Sequence, residues 1–165
     1  MYLGLNRSIG ADITGANQGC GEWQLIPFEF IVNGPPVSLQ TKRRASLQRW
    51  KATVRQEAER YWPVGDAPTR DIVRIIVTYY YVGESLDVDN MIKPIQDALR
   101  GLVYDDDHIV TDCLGRKRDL DGSFRIKGMS TVLAEGFCRG REFLHVRVEE
   151  APDHRSLIDG HNHRA

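Results

Sequence analysis

Six aspartates and one lysine within residues 87–107 carry the chemistry of this sequence: Asp87, Asp89, Asp97, Asp105, Asp106 and Asp107, with Lys93 among them. Asp87-Val88-Asp89-Asn90 stands where a β-rich run gives way to a helical pattern, and Asp105 to Asp107 follow that helix. One Asp or Asn at a helix start is explained as an N-cap; two Asp and an Asn exceed what a cap needs. Three aspartates in a turn, taken alone, are a solvated surface. Gathered in one place, three or four carboxylates repel one another unless a cation sits among them. An all-carboxylate set without His or Cys ligands selects a hard ion, Mg²⁺ or Mn²⁺, over Zn²⁺. Lys93 lies one helical turn after Asp89 and one before Asp97. On a plain surface such a pair contributes roughly a few tenths of a kcal/mol. Beside metal-bound carboxylates it can stabilise phosphate charge or orient an attacking water.

These residues need elements that bring them together. The helix between the two acidic groups, read as 89–102 from the stripe Ile92, Ile95, Leu99 and Leu102, is roughly 20 Å long. Its ends meet only if the chain turns back, so a short strand at 109–114 is expected beside the strand 71–82, with its start near that strand's end. DIVRIIVTYYYV at 71–82 is β-branched and aromatic without a breaker, and its three tyrosines read as strand packing rather than base stacking. Pro94 is tolerated if it falls near the first helical turn.

Upstream, WQLIPFEFIV at 23–32 reads as a strand, with Pro27 marking an edge or bend, and Asn33-Gly34-Pro35-Pro36 stops it. Leu47, Trp50, Val54, Ala58 and Tyr61 give a helix over 45–62. Leu144, Val146 and Val148 alternate with polar residues in a final strand, 142–149. The expected fold is α+β (α/β-like): one small domain at 22–150 with a mixed sheet of four to five strands against two main helices. Residues 1–21 read as a flexible arm, 119–141 as an insertion and 151–165 as a disordered tail.

The 165 residues carry 22 Lys and Arg against 23 Asp and Glu, and 41% of them are hydrophobic. That is one ordinary globular domain and excludes collagen-like, coiled-coil and wholly disordered chains. No apolar run approaches the roughly 18 residues of a bilayer span, and no secretory leader pattern opens the chain. Three widely spaced cysteines (Cys20, Cys113, Cys138) fit neither a disulfide framework nor a zinc site, and imply a reducing, cytoplasmic setting. The charges are sorted: Lys42, Arg43, Arg44, Arg49 and Lys51 open the first long helix, and Arg116, Lys117 and Arg118 follow the short strand. Singly these are solvated surface charges; as two clusters flanking an acidic site they fit contact with a nucleic-acid backbone. Rival carboxylate motifs fail. An EF-hand from Asp87 needs Gly and Glu where Ile92 and Ala98 stand. His161-Asn162-His163 is no nuclease motif.

Asp87-x-Asp89-Asn90-x-x-Lys93-Pro94-x-x-Asp97-Ala98-Leu99-x-Gly101, continuing into Val103-Tyr104-x-Asp106-Asp107-x-x-Val110, resembles the signature of the RusA family of Holliday-junction resolvases. Asn33-Gly34-Pro35-Pro36-Val37-Ser38-x-Gln40 is similar to the Gly-Pro-Pro-x-Ser segment of that family. The resemblance implies a homodimeric, Mg²⁺-dependent endonuclease that cuts two opposing strands of a four-way DNA junction, with Mn²⁺ as a possible substitute and no small-molecule cofactor. It implies Asp87, Asp89 and Asp107 as metal-binding carboxylates, Asp106 in place of Asp107 if the loop register differs by one, and Lys93 as the catalytic lysine. Two alternatives stay open: a nuclease of the same fold acting on other branched or foreign DNA, and a non-catalytic DNA-binding module on this scaffold.

Overall fold

A computed structural model describes residues 26–85 and 87–153. The expected arm at 1–21, Cys20, the start of the first expected strand at Trp23 and the tail from 154 onward lie outside the described residues. The order is β1 (Phe28–Asn33), α1 (Arg44–Glu59), β2 (Val73–Tyr81), α2 (Val88–Leu99), a 3-10 turn (Asp107–Ile109), β3 (Val110–Asp119), α3 (Thr131–Cys138) and β4 (Phe143–Glu150).

The strands form one mixed sheet in the order β1-β4-β2-β3. β4 runs antiparallel to both neighbours, whereas β3 runs parallel to β2. α2 is the crossover that a parallel pair requires. Because strand side chains alternate, register assigns each residue to a face. Phe28, Phe30 and Val32, with Leu144, Val146, Val148, Val73, Ile75, Val77 and Tyr79, form one buried face. Against it pack Leu47, Trp50, Val54 and Ala58 of α1 and Met91, Ile95, Ala98 and Leu99 of α2. Each large side chain buried there stabilises the fold by about 1.5–3 kcal/mol. The opposite face is half apolar: Ile31, Tyr80 and Phe143 meet Leu133 and Phe137 of α3.

Three expectations change. Beside the two main helices expected, the described residues hold a third, α3, formed by residues 131–138 of the expected insertion. That helix has only eight residues and contains Gly136, so its pattern is weak in isolation. Ser130 caps it, accepting from the Leu133 N–H at 3.1 Å, and a Cβ at Gly136 would lie 2.4 Å from the Phe143 ring. Tertiary contact makes this helix. β3 reaches Asp119, five residues past the expected end, because pairing with β2 carries Gly115-Arg116-Lys117-Arg118 through a ladder that their own propensity does not favour.

The third change concerns direction. Val73 pairs with Val110 and Tyr81 with Asp119, so the start of β3 lies beside the start of β2, not beside its end. Parallel strands joined by a helical crossover cannot do otherwise: α2 carries the chain back along the whole sheet. Asp87 follows the end of β2 and Asp107 precedes the start of β3, so they belong to opposite ends of α2.

Candidate active site

Asp87 takes the N-cap position of α2 with extended backbone (φ −65°, ψ 143°), yet its side chain makes no capping hydrogen bond. The local explanation for that carboxylate therefore does not operate. Asp89, in the first turn, is exposed, as is Asp87. Val88 between them turns inward onto β3, where a Cβ on Gly115 would come within 2.0 Å of its Cγ1. Only glycine lets the first turn of α2 sit this close to the sheet, and that contact fixes how the two aspartates are presented.

Pro94 lies in the second turn of α2 rather than the first, and is buried. It has no N–H to offer the carbonyl of Asn90, four residues back. That freed carbonyl accepts instead from the Leu39 N–H at 3.1 Å. The proline thus ties the loop after β1 to the first turn of α2, and the exposed Lys42, Arg43 and Arg44 begin three residues beyond the tie.

Lys93 does not pair with Asp89. Its Nζ donates to Asp107 Oδ2 at 2.7 Å and lies 3.1 Å from Asp97 Oδ1. Lys51 of α1 donates to the other Asp97 oxygen at 2.9 Å, and Arg100 approaches Asp107 Oδ1 at 3.7 Å. A chain of alternating charge therefore runs Lys51–Asp97–Lys93–Asp107–Arg100. The Lys93 hydrogen bond, together with the Lys93 charge, holds the Asp107 carboxyl far below the usual carboxylate range. The same bond raises the Lys93 ammonium above its ordinary value, against partial desolvation. Burial pushes Asp97 up, but the bonds from Lys51 and Lys93 outweigh it and leave that carboxyl lowered. All three groups are charged at neutral pH.

Asp106 is occupied differently. Its side chain caps the 3-10 turn, accepting from the Asp107 N–H at 2.7 Å, and faces His108 and Arg100 at 3.7 and 4.0 Å. Asp105 lies 3.5 Å from Arg70. The donor set at the two ends of α2 is carboxylate oxygen throughout, which suits a hard divalent cation. Among the described residues, however, no three His, Cys, Asp or Glu side chains stand close enough together to hold a metal as placed. The structure joins Asp107 to α2 through the Lys93 ammonium, one turn from Asp89.

The basic residues divide. Lys42, Arg43 and Arg44 are exposed at the mouth of α1, Arg49 donates to Ser46 at 3.3 Å, and Lys51 is drawn into the Asp97 pair. Arg116, Lys117 and Arg118 lie within β3, not after it, and alternate: Lys117 pairs with Tyr79 on the α2 face, whereas Arg116 and Arg118 pair with Thr78 and Tyr80 on the opposite face. Arg100 and the Lys51 contact were not foreseen. Nothing local marks them, since both depend on how α1 and the 103–107 loop pack against α2. No helix of the described residues is long and apolar enough to cross a membrane.

Residues 33–127, more than half of the chain, match the family model described as Endodeoxyribonuclease RusA. The matched segment runs from the end of β1 through β3 and contains every acidic and basic residue discussed above. A search of curated proteins finds no match.

Proposed function

The chain belongs to the RusA family of Holliday-junction resolvases, and from that membership we propose that it cuts four-way DNA junctions by paired, Mg²⁺-dependent phosphodiester hydrolysis. Membership itself carries a RusA-type branched-DNA endonuclease activity; the junction, the ion and the pairing of cuts are the proposal. The observation that supports it most is the Lys93–Asp107 bond at 2.7 Å, which links the acidic loop before β3 to the helix that begins with Asp87 and Asp89.

In this reading Asp87 and Asp89 from the start of α2 and Asp107 from the loop before β3 would hold the divalent ion, which requires the two groups to draw closer together than they stand here. Asp107 is favoured over Asp106, whose side chain already caps the 3-10 turn. When bound, the ion supplies Lewis acidity toward the phosphodiester and the attacking water. The chain's own residues do the rest. Asp97, neutralised on one side by Lys51, keeps Lys93 charged and aimed along α2. Lys93, held by Asp97 and Asp107, would donate to a non-bridging phosphate oxygen as negative charge builds there. Lys42, Arg43 and Arg44 hold the backbone of the strand entering at the first turn of α2, where the Leu39–Asn90 tie keeps them. Two copies of the chain, one on each of two opposing strands, give the symmetric pair of nicks.

The test is cleavage of a labelled four-way junction, a 5′ flap and plain duplex with Mg²⁺ or EDTA, wild type beside Asp89→Asn. The expected result is paired nicks in the junction, abolished by EDTA and by the substitution, with junction binding in EDTA retained. Equal cutting of flap and junction would overturn the junction assignment. No cutting of any substrate by the wild type would overturn the catalytic one.

A further inference from the structure

The face of the sheet opposite α1 and α2 holds a cleft of about 230 Å³ beside α3, and the acidic site takes no part in it. Five cationic side chains line it (Arg116 and Arg118 from β3, Arg125 and Lys127 from the 120–130 loop, Arg147 from β4), together with His145, and no carboxylate does. The nearby acids of this face are already matched: Glu29 meets His145 at 2.8 Å and Arg147 at 3.8 Å, and Glu149 pairs with Arg147 and Arg74. They offset Arg147, and the other four cations, all exposed, have no carboxylate beside them in the cleft lining. Burial holds the His145 imidazole below its ordinary range despite its bond to Glu29, so it adds no charge at neutral pH.

The cleft is not a plain charged surface. Ile76, Tyr80, Ile126 and Leu133 line it beside the cations. Phe124 also lines it, leaving 36% of its surface exposed while its ring lies 6.0 Å from Tyr80 and 6.2 Å from Phe137. An open aromatic ring backed by other rings, surrounded by arginine and lysine, matches what an unpaired polynucleotide offers: a flat base and a phosphodiester on each side. A duplex offers its phosphates but keeps its bases stacked inside. β3 is the edge strand, and its alternation presents Lys117 toward α2 and Arg116 and Arg118 toward the cleft. One strand can therefore follow cations around that edge from one face to the other.

We propose that this cleft binds a single-stranded DNA segment, with a base on Phe124 and phosphates on Arg125, Lys127, Arg116 and Arg118. Its role, holding the unpaired strand at a branch point, rests on the nuclease reading above; the binding itself does not. The experiment is fluorescence anisotropy of a labelled twelve-residue oligothymidylate, and of a labelled twelve-pair duplex, titrated with the full chain in EDTA at several salt concentrations. Arg125→Ala/Lys127→Ala lies in an exposed loop and is expected to lower the magnitude of the single-strand salt slope by about 1.4, roughly 0.7 for each lost phosphate contact. Phe124→Ala is expected to weaken oligothymidylate binding on the order of tenfold with little change in slope. Circular dichroism of each variant checks the fold. The proposal is overturned if the double variant binds oligothymidylate with the wild-type affinity and slope, or if it weakens duplex binding as much as single-strand binding. Since no metal is present, these outcomes are independent of whether the wild type cleaves a junction.

Discussion

Gly115→Ala tests whether the approach of α2 to β3 sets the geometry of Asp87 and Asp89. The new Cβ would stand 2.0 Å from Val88 Cγ1 and 3.0 Å from Ile92 Cδ1. Carbon atoms ordinarily meet at about 3.5–4.0 Å, so the first contact is short by about 1.5 Å or more. Val88 is β-branched and holds one strongly preferred rotamer in a helix. It cannot swing away, and the first turn of α2 must lift from the sheet. Overpacking of this kind costs about 1–3 kcal/mol, which for a chain this size lowers Tm by about 2–12 °C. A displacement near 1 Å at catalytic groups costs on the order of a hundredfold in rate. Calorimetry and junction cleavage read the two effects, and Gly115→Ala/Val88→Ala should recover most of both, because removing Cγ1 removes the clash. If Gly115→Ala melts and cuts like the wild type, α2 is not seated as described and the positional reasoning fails.

Pro94→Ala restores an N–H able to take the Asn90 carbonyl, so the Leu39 amide, now bonded there at 3.1 Å, should exchange with deuterium faster than in the wild type. Gly136→Ala places a methyl against the Phe143 ring and should destabilise by about 1–3 kcal/mol in denaturant unfolding. The depressed Asp107 pKa means that its contribution to stability is fully present above the ordinary carboxylate value and is lost as pH falls through the folded-state pKa. Acid titration of Lys93→Met should show that carboxyl moving up toward its ordinary value by NMR. For His145 the unfolded chain binds the proton more readily than the folded one, so folding stability should fall as pH drops from about 6.5 toward its lowered pKa. His145→Gln should flatten that part of the profile.

The apolar stripes of α1 and α2 and the alternation in β4 were legible because they report burial directly, residue by residue. Asp87, Asp89, Lys93 and Asp107 stood out by type and spacing, and the structure shows that Asp87 makes no capping bond and that Lys93 reaches Asp107. What could not be read depended on neighbours distant in sequence. β3 extends through Arg116 to Arg118 only because β2 lies beside it, and α3 exists only because Gly136 fits over Phe143. The relation between the two acidic groups was misjudged for the same reason, since strand direction decides which ends are neighbours. The cationic cleft needs β3, β4 and the 120–130 loop together, so Arg147, one of the polar residues that alternate in the final strand, gave no sign of it.

The most direct measurement is junction cleavage in Mg²⁺ by the full chain beside Asp107→Asn. Paired nicks by the wild type, none by the variant, and equal junction binding by both in EDTA is the predicted result. Cleavage by Asp107→Asn at the wild-type rate would contradict the assignment of that carboxylate to the ion.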